Sequence, residues 1–289
     1  MKKWGFLFIV IIIFVKIMAT NFVPFSKNIT YLNDDQTAQD DTLFHTIKIT
    51  KDMVYQGNLL LVNRNYPVHP DSVKSDFVNL YEHKGLVNGY ELLHTDIHLS
   101  KEITQRFSHM IQDAKKDKVT HFMISSGYRN FNEQDRLYEE KGTDYALPAG
   151  YSEHNLGLSL DVGSTAGKME HAPEGKWLKE NAWKYGFIMR YPEDKTAITK
   201  IQYEPWHIRY VGLPHSLIMH DKNLALEEYI SFLKKEKTIS LRYNKVNYSI
   251  SYYPISQHTH MKVPIEQHYE ISGNNVDGII ITVMDGKKR

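Results

Sequence analysis

The hydrophobic period of this chain changes abruptly near its middle, and that change narrows the fold classes open to it. Over residues 101–118, Ile103, Phe107, Met110, Ile111 and Ala114 recur at the spacing of one helix face, and Ser100 is placed to cap the first turn. Directly afterwards, residues 121–125 are a short apolar run that reads as a buried strand. Residues 131–141 return to helix, closed by Gly142. Residues 173–185 form a third, with Pro173 at the start and Gly186 past the end. Strands are expected at 56–68, 187–191 and 203–211, and helix again from 214 to about 235. Helices interleaved with several short strands indicate α+β, a small mixed or antiparallel sheet with flanking helices, and not a doubly wound parallel sheet.

The ends of the chain differ from this middle. Lys2 and Lys3 precede an apolar run from Trp4 to Val15, and Lys16 interrupts before Ile17, Met18 and Ala19. That is the charged and apolar pattern of an export segment. Ile17-Met18-Ala19 is a poor match to a small-x-small cleavage site, so residues 1–19 are expected to stay as a membrane anchor, with secretion after cleavage as the alternative. Either way the rest of the chain is expected outside the cell. Residues 20–51 are polar, without sustained periodicity, and read as a linker. Residues 52–237 then form the main domain. Residues 238–289 become rich in Ile, Tyr, Val and Ser around Gly-Asn-Asn and Asp-Gly turns, which indicates a small C-terminal β appendage. Its tyrosines could line a polymer-binding face or simply pack a sheet.

Composition excludes some chemistries. The chain has 289 residues, no cysteine and a formal net charge of +1. No thiolate metal site, cysteine nucleophile or disulfide framework is available, so a metal must be held by His, Asp and Glu. The near-zero charge argues against a general nucleic-acid partner.

Of fifteen histidines, two sit in unusual company. His154 precedes the segment Gly157-Leu158-Ser159-Leu160-Asp161-Val162-Gly163, in which alternation puts Asp161 on the face opposite the leucines. A carboxylate on a strand built for burial needs a partner. A metal ion is one; a turn cap or an arginine is another. His207 stands three residues after Glu204, with Pro205 between them. A catalytic zinc site takes three protein ligands and leaves one position for water. His154, Asp161 and His207 would make such a set, with Glu204 beside the water as base. Plain strand alternation would send Glu204 and His207 to opposite faces, so this arrangement requires a bend at Pro205. No H-E-x-x-H motif occurs. A third segment, Ser125-Ser126-Gly127-Tyr128-Arg129, follows the buried strand, and Gln134 lies in the first turn of the next helix. An arginine at such a junction suits bidentate binding of a carboxylate, although an ordinary surface arginine is the favoured reading of the segment when it is taken alone.

Together, Ser126-Gly127-Tyr128-Arg129, the run from Ser152 and His154 through Gly157 to Asp161, and Glu204-Pro205-Trp206-His207 resemble the VanY-type D-alanyl-D-alanine carboxypeptidases. These are zinc peptidases related to VanX and to the LdcB-type L,D-carboxypeptidases. The resemblance extends over roughly residues 52–236. It implies a zinc ion (Zn2+) on His154, Asp161 and His207, with Glu204 as catalytic base. It also implies that Arg129, Gln134 and Ser152 hold the terminal carboxylate or nearby peptide atoms, with oxyanion stabilisation as the other possible role for Arg129. The substrate implied is a peptidoglycan precursor stem peptide ending in D-Ala-D-Ala, and the biological role glycopeptide resistance. L,D-carboxypeptidase action on tetrapeptides and a non-catalytic wall-binding module with a structural zinc are the alternatives.

Overall fold

The computed structural model describes residues 29–32, 44–142, 146–256 and 259–285. The expected membrane anchor, residues 1–19, lies outside these, and no helix among the described residues is long and apolar enough to cross a membrane. In chain order the elements are β1 (Ile29–Tyr31), β2 (Phe44–Lys48), β3 (Phe77–Asn79), β4 (Glu91–Leu92), β5 (His98–Ser100), α1 (Lys101–Lys116), β6 (Phe122–Ser126), α2 (Phe131–Lys141) and β7 (Ser159–Ser164). There follow α3 (Pro173–Asn181), β8 (Phe187–Met189), α4 (Thr196–Thr199), β9 (His207–Tyr210), α5 (His215–Asp221), α6 (Leu226–Glu236), β10 (Thr238–Tyr243), β11 (Val246–Pro254), β12 (His260–Pro264), β13 (His268–Gly273) and β14 (Gly278–Asp285). This is the α+β class expected.

The central sheet runs β4-β6-β7-β9-β8. Only β4 and β6 are parallel; the remaining pairs are antiparallel. Ile103, Phe107, Met110 and Ile111 of α1 are fully buried in one cluster with Phe122, Ile124, Leu160 and Ile208 of the sheet. Each such side chain stabilises the fold by roughly 1.5–3 kcal/mol. Helix starts follow local chemistry. Ser100 Oγ accepts from the Ile103 N–H at 3.4 Å, and Asn130 and Glu133 cap each other's backbone at the start of α2.

Three segments depart from expectation. Residues 214–235 are two helices and not one, because Asn223 takes a left-handed φ of 49° and the Leu224 N–H turns back to the Met219 carbonyl. Residues 56–68 are no ladder strand, although Leu59, Leu60, Leu61 and Val62 are buried as an apolar run should be. Their backbone is satisfied mainly from elsewhere: Leu59 N–H donates to Ser272 Oγ, Arg209 donates to the Asn58 and Leu60 carbonyls, and Asn275 donates to the Leu61 carbonyl. Within the expected linker, residues 20–51, β1 pairs with β10 and β2 with β12. Such short strands carry little periodicity of their own, since their partners lie about two hundred residues further along.

The C-terminal strands form a second antiparallel sheet, β1-β10-β11-β14-β13. One face (Tyr248, Ile250, Tyr252, Ile280) shares a core with Leu217, Ile218, Tyr229 and Leu233 of α5 and α6. Ile279 and Ile281 pack on the other side against Met261 and Val263 of β12. The tyrosines Tyr243, Tyr248 and Tyr252 are buried, so they serve packing. His215 fastens α5 to this sheet: its Nδ1 lies 2.7 Å from the Tyr229 hydroxyl and its Nε2 2.9 Å from Thr282 Oγ1.

Candidate active site

The site lies where β7 and β9 run side by side. Asp161 and His207 are directly opposed across that antiparallel pair, and His207 Nδ1 lies 2.9 Å from Asp161 Oδ1. His154 arrives from the short 3-10 turn Glu153–Asn155, in which the His154 N–H donates to Ser152 Oγ at 3.3 Å. His154 Nε2 is 3.3 Å from Asp161 Oδ2, and the two imidazoles meet edge to face with centroids 4.9 Å apart. One ligand atom from each of His154, Asp161 and His207 falls within 4.8 Å of the others. The expected metal set is therefore brought together by two strands and a turn.

The bend required at Pro205 exists. The His207 N–H donates to the Glu204 carbonyl at 3.3 Å, closing a turn through Pro205 and Trp206, while the Glu204 N–H is held by the Tyr191 carbonyl at 3.0 Å. The turn returns the Glu204 carboxylate to the side of the candidate ligands, 4.0 Å from His207 Nδ1.

Arg129 is placed by its backbone. Its N–H donates to the His154 carbonyl and its carbonyl accepts from Asn155 Nδ2, so the Ser126–Arg129 loop is stitched to the turn that carries His154. Gly127 permits this: a Cβ there would sit 2.2 Å from the His98 carbonyl oxygen. The same glycine's carbonyl accepts from His154 Nδ1 at 2.6 Å. The Arg129 Nε is buried with no hydrogen-bond partner among the described residues, and Asp161 and Glu204 are its electrostatic neighbours. Gln134 is buried at the start of α2, where its amide donates to the Leu147 carbonyl at 2.6 Å and its Oε1 has no partner among the described residues. Ser152 is buried too, and its hydroxyl is engaged with the His154 backbone.

Electrostatics divide the titratable groups. Burial raises the Glu204 pKa from its ordinary value, although His207 and Arg129 oppose the shift. Burial and then Arg129 push His154 down, so it stays neutral. For Asp161, burial alone would raise the pKa, but the two histidines outweigh it and hold the carboxyl well below normal. Burial likewise opposes charge on His207, yet the carboxylates of Asp161 and Glu153 that face its two ring nitrogens win and push it up to about 9. A pocket that draws a proton onto an imidazole among carboxylates is a pocket for a cation. The neutral His154, the ionised Asp161 and the donor set of two nitrogens and one oxygen suit zinc.

A buried charge cluster behind the site was not foreseen. Glu153, Arg190 and Arg209 are all buried. Glu153 Oε1 accepts from Arg190 Nε at 2.8 Å and from Arg209 Nη1 at 2.7 Å, and Arg190 forks onto Glu227. Glu153 Oε2 accepts from Ser159 Oγ at 3.1 Å and faces His207 Nε2 at 3.6 Å. Burial would raise the Glu153 pKa, but Arg209 and Arg190 hold its carboxyl far below the usual range. One signal was present in the sequence: an arginine inside the apolar strand around Ile208 requires a buried carboxylate partner.

Comparison with known proteins agrees with this geometry. Residues 96–213 match the VanY family, described as D-alanyl-D-alanine carboxypeptidase. A D-alanyl-D-alanine carboxypeptidase of Enterococcus faecium is 65% identical over 238 residues, covering 82% of this chain and 78% of that protein. The chain belongs to the VanY family. Among solved VanY relatives, the vancomycin resistance D,D-dipeptidase VanXYg, in complex with a D-Ala-D-Ala phosphinate analogue, superposes with a TM-score of 0.72 at 30% identity. That match covers 84% of this chain and 99% of the other. A mutant of the D,D-pentapeptidase VanY from a VanB-type resistance cassette, in complex with Zn(II), matches at 30% identity and a TM-score of 0.50, over 60% of this chain and 98% of that one.

Proposed function

We propose that this chain is a zinc D,D-carboxypeptidase that removes the terminal D-Ala from peptidoglycan precursor pentapeptides ending in D-Ala-D-Ala, and that it thereby contributes to vancomycin resistance. One observation carries this reading: His154, Asp161 and His207 converge with Glu204 at their edge, and the buried Arg129 Nε, which has no partner among the described residues, is close by. The same reading, with support from the N-terminal sequence alone, places the catalytic domain outside the cell on an anchor formed by residues 1–19.

His154, Asp161 and His207 would hold the ion. Bound there, zinc supplies positive charge that polarises a carbonyl and acidifies water. The remaining work belongs to the chain. Arg129 binds the free C-terminal carboxylate of the stem peptide and fixes which peptide bond is presented. Glu204 takes a proton from the attacking water, whose oxygen adds to the penultimate D-Ala carbonyl carbon. As the C–N bond breaks, Glu204 passes that proton to the leaving amine, and D-Ala departs. The upward shift of Glu204 suits a carboxyl that must take and return a proton near neutral pH. Gln134 and Ser152 line the carboxylate end of the site in this scheme.

The test is product release from two substrates. The zinc-loaded full chain should release D-Ala from a pentapeptide ending in D-Ala-D-Ala and leave the corresponding tetrapeptide largely intact. Release only from the tetrapeptide would transfer the chain to the L,D class. Release from neither, with zinc bound, would leave the non-catalytic module.

A further inference from the structure

The two candidate histidine ligands offer opposite ring nitrogens to the same point. His154 turns Nε2 toward Asp161 and ties Nδ1 to the Gly127 carbonyl. His207 does the reverse, with Nδ1 toward Asp161 and Nε2 pointing back into the protein. That Nε2 is buried, lacks a hydrogen-bond partner among the described residues, and faces Glu153 Oε2 at 3.6 Å. A carbonyl can only accept, so the orientation of His154 is settled by the backbone. The orientation of His207 needs an acceptor too, and Glu153 is the group facing it.

We infer that Glu153 is a positioning residue for the metal centre: its carboxylate accepts the Nε2–H of His207, which fixes the ring and leaves Nδ1 as the ligand atom. The inference rests on the metal reading above and goes beyond it by assigning a role to a residue that touches neither substrate nor ion. Glu153 is itself held rigidly. Arg190 and Arg209 occupy Oε1, Ser159 donates to Oε2, and the same Oε2 lies 3.6 Å from His207 Nε2. Arg209 is anchored in turn by the Asn58, Leu60 and Tyr210 carbonyls, and Arg190 by Glu227. The cluster therefore connects α6 and the backbone of residues 58–60 to the imidazole. A carboxylate behind a metal-bound histidine orients the ring and makes it a stronger donor, and loss of such a partner typically costs about 10–100-fold in metal affinity. Two arginines on the same carboxylate also explain how an ionised group can be kept there without water.

The experiment has two arms, neither of which reads catalysis. In the first, the zinc-loaded wild-type chain is labelled with 15N-histidine and its ring tautomers are read by NMR. His207 should carry its proton on Nε2, with Nδ1 perturbed by the metal. A proton on Nδ1 with the metal on Nε2 overturns the inference, while failure to bind zinc at all overturns the metal reading instead. In the second, zinc affinity is measured by chelator competition for Glu153→Gln, with circular dichroism of the metal-free protein as a folding control. Affinity should fall about 10–100-fold. Unchanged affinity in a folded Glu153→Gln protein overturns the inference. Because Glu153→Gln leaves two buried arginines without their carboxylate, an unfolded variant returns the decision to the wild-type tautomer measurement, which requires no substitution.

Discussion

Replacement of Arg129 by alanine tests how the site selects a chain end. The backbone ties of this residue, to the His154 carbonyl and Asn155 Nδ2, do not involve its side chain and survive the change. The side chain is only partly buried, but its Nε is enclosed and without a partner among the described residues. A carboxylate brought to about 4 Å from a guanidinium gains about 4 kcal/mol at an effective dielectric near 20. Partial exposure and the competing pull of Asp161 and Glu204 reduce that figure, so about 2–3 kcal/mol is expected, at the low end for a desolvated charge pair. This corresponds to a loss of roughly 30- to 150-fold in kcat/KM. The assay compares a free-acid pentapeptide with its C-terminal amide in wild type and Arg129→Ala. Wild type should prefer the acid by about that factor, and the variant should lose the preference through the acid alone. An equal loss on both peptides would refute carboxylate binding and assign Arg129 to the carbonyl oxygen.

Two other expectations follow from the same geometry. His154→Ala and His207→Ala should each leave the protein without stoichiometric zinc after dialysis, as read by elemental analysis; full retention would refute the ligand set. Burial pushes the His215 pKa down to about 3 from 6.5, so neutral His215 stabilises the fold fully above pH 6.5, and that contribution is lost as pH falls toward 3. The stability advantage of wild type over His215→Asn should therefore shrink by about 2 kcal/mol between pH 7 and pH 5 in denaturant titrations, and a pH-independent gap would contradict the burial argument.

What could be read from the sequence was local. The face of α1, the Gly142 stop and the alternation around Asp161 depend on neighbours a few residues away, and all three are realised. The grouping of His154, Asp161 and His207 was readable because His154 and Asp161 share one segment and His207 carries Glu204 with it. The Pro205 turn was legible only as a requirement, since what places it is the Tyr191 carbonyl on another segment. Strands β1 and β2 could not be seen, because each exists only through a partner near the far end of the chain. The same holds for the backbone of residues 58–61, which is satisfied by Arg209, Ser272 and Asn275. Glu153 carries no local mark of burial, and only the fold turns it inward to two arginines.

The measurement closest to the central claim is turnover of zinc-loaded Glu204→Gln on a pentapeptide ending in D-Ala-D-Ala. The substitution keeps the shape of the side chain and leaves His154, Asp161 and His207 in place, so zinc should stay bound. D-Ala release should fall by about two to four orders of magnitude, the scale of a general base. Release at a rate near that of wild type, with zinc stoichiometric, would contradict the assignment of proton transfer to Glu204 and with it the reaction proposed for this site.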